Sequence, residues 1–206
     1  MSFMKRGVRH WTPLLLYALG LAILSYSFIN MFFDRIVYLD LLFKKSKIES
    51  GVKSEKFKIN GYLIDYPLWG DVIGKIEIKR LNISSVIYQG DDDEQLIKGV
   101  GHSFASLIPG EGGNCILAGH RDTVFRRLEG IRVGDEVVIY TTYGTYKYRV
   151  KNIKIVDKND ETVIVPSDKE MLTIYTCYPF NYIGAAPKRF VVTCDFVEST
   201  RDINLK

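Results

Sequence analysis

From Ile73 onward the chain alternates apolar and polar positions in short runs. Ile73-Gly74-Lys75-Ile76-Glu77-Ile78 places every second side chain on one face, the pattern of a half-buried strand. Ile83 to Tyr88 repeats it, and Glu136 to Tyr140 and Thr145 to Val156 flank Tyr143-Gly144, a hairpin turn signal. Thr162 to Val165, Leu172 to Thr176 and Arg189 to Val197 extend the series, and Asn114 to Gly119 is a further buried strand. Helical stretches are brief: Asp93 to Lys98 before Gly99, and Phe125 to Glu129 before Gly130. Many short strands at regular spacing with few helices predict a mainly β fold, a closed barrel or a sandwich.

The first third follows a different pattern. His10 to Phe33 contains no Lys, Arg, Asp or Glu. About 20 apolar residues at about 1.5 Å each match a bilayer core. Lys5, Arg6 and Arg9 precede the run, so the positive-inside rule sets the N-terminus in the cytoplasm and the body outside. Ser25-Tyr26-Ser27 is a poor cleavage site, which favours an uncleaved anchor over a removed signal peptide. Lys44 to Lys58 is rich in Lys, Ser and Glu and reads as a juxtamembrane stalk. The expected organisation is a basic cytoplasmic segment (1–10), a transmembrane signal-anchor (11–33), a stalk (34–60), a folded β domain (61–200) and a short tail (201–206).

Composition adds two exclusions. Of 206 residues 47% are hydrophobic and 25% charged, the balance of a folded chain. The net charge of +4 rests largely on Lys5, Arg6 and Arg9; without them 25 basic residues face 24 acidic ones, and no basic face invites nucleic acid. There are three cysteines, Cys115, Cys177 and Cys194, too few for a disulfide-stapled domain. Cys115 and Cys194 lie within apolar strands and read as core residues.

Candidate chemistry gathers at strand borders. Cys177 closes one apolar run, Arg189 opens the next, and His120 follows Asn114 to Gly119. A cysteine attacks as thiolate, an imidazole can favour that anion and later protonate a leaving amine, and a guanidinium can hold an oxyanion or a peptide backbone. His102, behind Gly101, is a rival histidine that reads as a structural hydrogen-bonder or a groove residue. Arg121, Arg126, Arg127 and Arg132 read as surface charges, with Arg121 close enough to His120 to touch the site. Asp91-Asp92-Asp93-Glu94 lacks the alternation of a calcium loop, and Asp92 or Asp93 more simply caps the helix that follows. The three histidines show no paired spacing with cysteine, so no metal site and no cofactor are expected.

The local sequence narrows these readings. Thr173-Ile174-Tyr175-Thr176-Cys177 resembles the Thr-Leu-x-Thr-Cys signature of sortases, with Ile174 in the Leu place. Leu117-Ala118-Gly119-His120-Arg121 resembles the sortase histidine segment. Gly70 to Ile78, Gly99 to His102 and Pro109 to Asn114 resemble class D sortases in particular. The resemblance covers roughly residues 69–197. It implies an eight-stranded β-barrel, preceded here by the anchor helix, with no cofactor. It implies a membrane-anchored cysteine transpeptidase of Gram-positive bacteria that cleaves a Leu-Pro-x-Thr-Gly-like sorting signal after Thr. The acyl group would pass to an amine of a cell-wall precursor or of a pilin lysine. By motif, Cys177 is the nucleophile, His120 the acid and base, Arg189 the group that positions the peptide or steadies the oxyanion, and Thr176 a contributor to the oxyanion site. The loop Tyr178 to Ala186 is expected to wall the groove. Two other readings stand beside this one: another wall enzyme of the L,D-transpeptidase type, and a non-enzymatic anchored module with a buried cysteine.

Overall fold

The computed structural model describes residues 16–26, 29, 56–59, 61–160, 166–181 and 184–200. Residues 16–26, within the expected anchor, are helical with exposed side chains. No helix among the described residues is long and apolar enough to cross a membrane. The basic segment, the flanks of the anchor, most of the stalk, the strand expected over Thr162 to Val165 and the C-terminal tail lie outside the described residues.

The body is a closed barrel of eight strands. Around the barrel the order is β10 (Lys188–Thr200), β8 (Gly144–Asp157), β7 (Glu136–Thr141), β3 (Val72–Ile78), β4 (Ile83–Gln89), β5 (Val100–His102), β6 (Asn114–Ala118) and β9 (Met171–Tyr178), which pairs back with β10. Most neighbours are antiparallel; β4–β5 and β6–β9 are parallel. A parallel pair needs a crossover. The helix Asp93–Lys98 lies in the crossover from β4 to β5, its first turn capped by Asp92, which accepts from the Gln95 N–H at 3.1 Å. The helix expected at Phe125 to Glu129 is a 3₁₀ turn over Arg126–Gly130.

Alternation explains the core. Ile76, Ile78, Ile87, Leu117, Ile139, Leu172, Ile174 and Val192 point inward and are buried. Each such side chain contributes about 1.5–3 kcal/mol. In β3 the register slips between Val72 and Gly74, and this bulge turns both Ile73 and Ile76 to the core although they are three residues apart. Gly74 allows it: a Cβ there would lie 2.1 Å from the Tyr140 carbonyl oxygen on β7.

Two further strands, β1 (Lys56–Ile59) and β2 (Tyr62–Asp65), form a hairpin. Ile59 is buried in the barrel core. Four residues assigned to the stalk thus belong to the folded body, because a β pair and one apolar anchor offset the polarity of Lys56 and Lys58.

Candidate active site

Three adjacent strands carry the candidate groups. Cys177 is the next-to-last residue of β9 and Arg189 the second of β10, and the antiparallel register sets them directly opposite each other. On its other side β9 runs parallel to β6, with Ala118 opposite Tyr175. Gly119 extends that pairing by donating its N–H to the Tyr175 carbonyl at 3.3 Å. His120 comes two residues after Ala118, beyond the end of β6, and Cys177 two residues after Tyr175. Cys177 and Arg189 thus face each other on β9 and β10, His120 follows the end of the neighbouring β6, and all three are partly exposed.

Strand alternation puts Thr173, Tyr175 and Cys177 on the outer face of β9, and Leu172, Ile174 and Thr176 within. Thr176 is buried, and its hydroxyl donates to the Gly119 carbonyl at 2.6 Å. That hydroxyl thus faces away from the Cys177 side chain and fastens the histidine segment to β9, a placement the oxyanion expectation did not include. The Arg189 guanidinium donates to the carbonyls of Lys188 at 3.1 Å and Ala186 at 3.4 Å, so its own loop holds it beside the cysteine.

Arg121 is more than a surface charge. Its two terminal nitrogens donate to the Pro179 carbonyl at 3.1 Å and the Gly184 carbonyl at 3.0 Å, in the loop joining Cys177 to Arg189. The root of that loop is packed by Tyr178, Phe180 and Phe190, with ring centroids 5.2–6.4 Å apart. Nothing in the sequence signalled the Arg121 contacts, since both acceptors are backbone.

His102 has a different situation. It is fully buried on β5, its Nδ1 2.7 Å from the Gln89 Oε1 and its Nε2 3.1 Å from both the Leu107 carbonyl and the Ser106 hydroxyl. Burial holds it below the ordinary imidazole range, while the Leu107 carbonyl and Asp91 pull the other way. It is the structural hydrogen-bonder of the two readings, and it ties down the segment 103–107.

That segment borders a cleft. Ser103 N–H donates to the Ile116 carbonyl, Leu107 N–H to the Asn114 carbonyl, and Ile116 N–H to the Ser106 hydroxyl. A hollow of about 310 Å³ opens there, lined by Tyr66, Phe104, Leu107, Ile116 and Pro166. Phe104 stacks on Trp69 at 5.1 Å. Ile116 stands opposite Thr173, four residues before Cys177. From Thr173 to Cys177 the strand backbone spans about 13 Å, at about 3.3 Å per residue. A wider groove of about 900 Å³ lies near Met171, Thr193 and Asp195 and includes none of His120, Cys177 and Arg189.

Between hollow and thiol lies Tyr175, whose hydroxyl donates to Asp91 at 3.3 Å; burial first, then the Asp91 carboxylate, pushes it up to about 12. Asp91 and Asp92 thus serve Tyr175 and the helix cap. Among the described residues no group of three or more His, Cys, Asp or Glu side chains is placed to hold a metal ion.

The three thiols are free and unlike one another. Cys115 and Cys194 are 1% and 0% exposed. Burial raises both, Cys115 well above its ordinary value with help from Glu170 and Glu111, and Cys194 to about 12 with help from Asp195. Cys177 alone is partly exposed, with Arg189 opposite it on β10.

A sortase-domain family model matches residues 76–197. Sortase D of Bacillus subtilis (strain 168) is 36% identical over 188 residues, covering 87% of this chain and 94% of that protein. Among solved structures, a Clostridium perfringens sortase D5 transpeptidase superposes with a TM-score of 0.59 at 29% identity, covering 65% of this chain and 83% of that one. The catalytic domain of B. anthracis SrtD does so with a TM-score of 0.58 at 36% identity, covering 68% and 96%.

Proposed function

The chain belongs to the sortase family of cysteine transpeptidases, as a class D homologue, and on that premise we propose that Cys177, His120 and Arg189 transfer sorting-signal proteins to an amine. The observation that carries the assignment is the pairing of Cys177 with Arg189 on β9 and β10, with His120 two residues past the end of the neighbouring β6 and the other two thiols buried. Membership in this family sets aside the L,D-transpeptidase and non-enzymatic readings.

Sortases act on sorting signals, and the proposed signal is of the Leu-Pro-x-Thr-Gly kind. The hollow about four residues from Cys177 supports this, because it fits an apolar residue three positions before the scissile Thr. The Cys177 thiolate attacks the Thr carbonyl carbon, and the carbonyl electrons move to oxygen. The Arg189 guanidinium faces that oxyanion or the peptide backbone. As the carbon–nitrogen bond breaks, His120 gives its proton to the leaving amine and a thioester remains on Cys177. The incoming amine then attacks the thioester, His120 takes the proton, and the thiolate leaves. A desolvated thiol beside carboxylates, as at Cys115, could not start this sequence near neutral pH.

The proposed setting is a single-pass membrane protein with a cytoplasmic N-terminus and an extracellular catalytic body. The charge-free run His10 to Phe33 behind Lys5, Arg6 and Arg9 supports it. The acceptor is an amine of a peptidoglycan precursor or a pilin lysine. The test is turnover of Leu-Pro-x-Thr-Gly and Leu-Pro-x-Thr-Ala peptides by the purified full-length chain, with each amine type offered in turn. Cleavage after Thr with a mass matching the amine adduct is expected. Cleavage elsewhere, or turnover that survives Cys177→Ala, would sink the proposal.

A further inference from the structure

His120 lies beyond the end of β6, where the sheet no longer dictates its position. Its height beside Cys177 must come from other bonds. The residue before it is held by Thr176, whose buried hydroxyl donates to the Gly119 carbonyl at 2.6 Å. The residue after it is Arg121, whose guanidinium reaches the Pro179 carbonyl at 3.1 Å and the Gly184 carbonyl at 3.0 Å. Thr176 immediately precedes Cys177, and Pro179 follows it by two residues. A backbone bond from the Phe125 N–H to the His120 carbonyl closes the histidine turn itself, at 3.0 Å.

We propose that Arg121 is a positioning residue for the transfer reaction, one arm of a two-point bracket, with Thr176 as the other, that sets the His120 imidazole against Cys177. The proposal rests on the roles given above to His120 and Cys177. The bracket works because its bonds span the two chains that must stay in register during proton transfer. The fork shape of guanidinium matters here: two nitrogens in one plane meet two carbonyls of one loop, a geometry an ammonium cannot reproduce. Both carbonyls belong to the segment between Cys177 and Arg189, so one side chain also ties the arginine's loop to the histidine. Loss of such positioning raises the barrier without removing any reacting group, and a displacement of about 1 Å costs about 100-fold.

The test compares steady-state transfer by the full-length chain, wild type and Arg121→Ala, Arg121→Lys, Thr176→Val, Thr176→Ser and Cys177→Ala, with thermal unfolding of each. Arg121→Ala is expected to lower kcat about 10- to 100-fold with KM changed less than about 3-fold. Arg121→Lys is expected to recover only part of that loss, having the charge but not the fork. Thr176→Val removes one hydroxyl at nearly constant shape and gives a second handle if Arg121→Ala does not fold. It should likewise lose kcat, and Thr176→Ser should restore it. Wild-type kcat in folded Arg121→Ala and Thr176→Val would overturn the bracket. Full recovery by Arg121→Lys would also overturn it, by assigning the effect to charge alone. If Cys177→Ala still transfers, the cysteine reading fails and the bracket with it; if it is inactive while the other variants keep kcat, only the bracket fails.

Discussion

The barrel has a cysteine at each end of one strand pair, and the two ends differ in nearly every property. Cys115 lies at the start of β6, opposite Leu172 at the start of β9, and faces inward. Around that end Glu170 accepts from the Tyr148 hydroxyl at 2.6 Å and from the N–H groups of Gly110 and Gly112 at 3.1 and 2.9 Å. Cys177 lies at the other end of β9, faces outward, and has Arg189 across the ladder. One end is desolvated and carboxylate-rich, so the thiol stays protonated. The other is partly solvated, with Arg189 opposite the cysteine and Arg121 bound to the loop that follows it. The same residue type is an inert packing element at one end and a candidate nucleophile at the other. Strand parity and burial make the difference.

Exchanging a single atom at each end tests this contrast most severely. Cys177→Ala is expected to abolish transfer, a loss of at least about 10⁴-fold, since the bond-forming atom is gone. In the native wild type, a small alkylating reagent should modify Cys177 and spare Cys115 and Cys194 until the chain unfolds. Equal labelling of Cys115, read by peptide mass, would break the comparison.

Next in size, His120→Gln removes proton transfer and leaves the thiol in place. Turnover should fall about 10²- to 10⁴-fold. Retained turnover in single-turnover acyl transfer would remove His120 from the mechanism.

At the opposite end the expected change is in stability. Glu170→Gln weakens the bonds to Tyr148, Gly110 and Gly112. Urea unfolding should show a loss of about 1–3 kcal/mol, with kcat within about 2-fold of wild type. A large fall in kcat at unchanged stability would mean that the two ends are coupled.

The smallest effect is in pH dependence. Folded His102 binds its proton less readily than the unfolded chain does. Its contribution to stability is therefore fully present above about pH 6.5 and is lost as pH falls below that value through the lower folded one. Glu111, raised chiefly by burial, works with the opposite sign at lower pH. The urea midpoint should fall between pH 7.5 and 5.5, and His102→Gln should flatten that limb. An unchanged limb would assign it to other groups.

Much of the barrel is legible residue by residue. β3, β4, β7, β8, β9 and β10 follow from alternation, and Asp92 and Gly99 mark the ends of the short helix. β5 was not legible, because Val100-Gly101-His102 is too short to show a period and its glycine is a poor strand former. β1 was hidden too, its lysines reading as stalk until Ile59 found the core. In the site, Cys177, His120 and Arg189 carried their own chemical signal. Arg121 did not, because its partners are carbonyls about 60 residues away in sequence. Glu170 was equally silent, bonding to a loop far from it in the chain.

By itself, then, the sequence determined that this chain forms short alternating strands, and which residue types could do acyl-transfer chemistry. Those are local properties, set by side-chain parity and by functional groups. Only the tertiary structure decided that β6, β9 and β10 are neighbours, and so that Cys177 faces Arg189 with the end of the histidine strand alongside. Register arises from barrel closure, where each strand's inward face must meet the others, and no single segment contains that constraint.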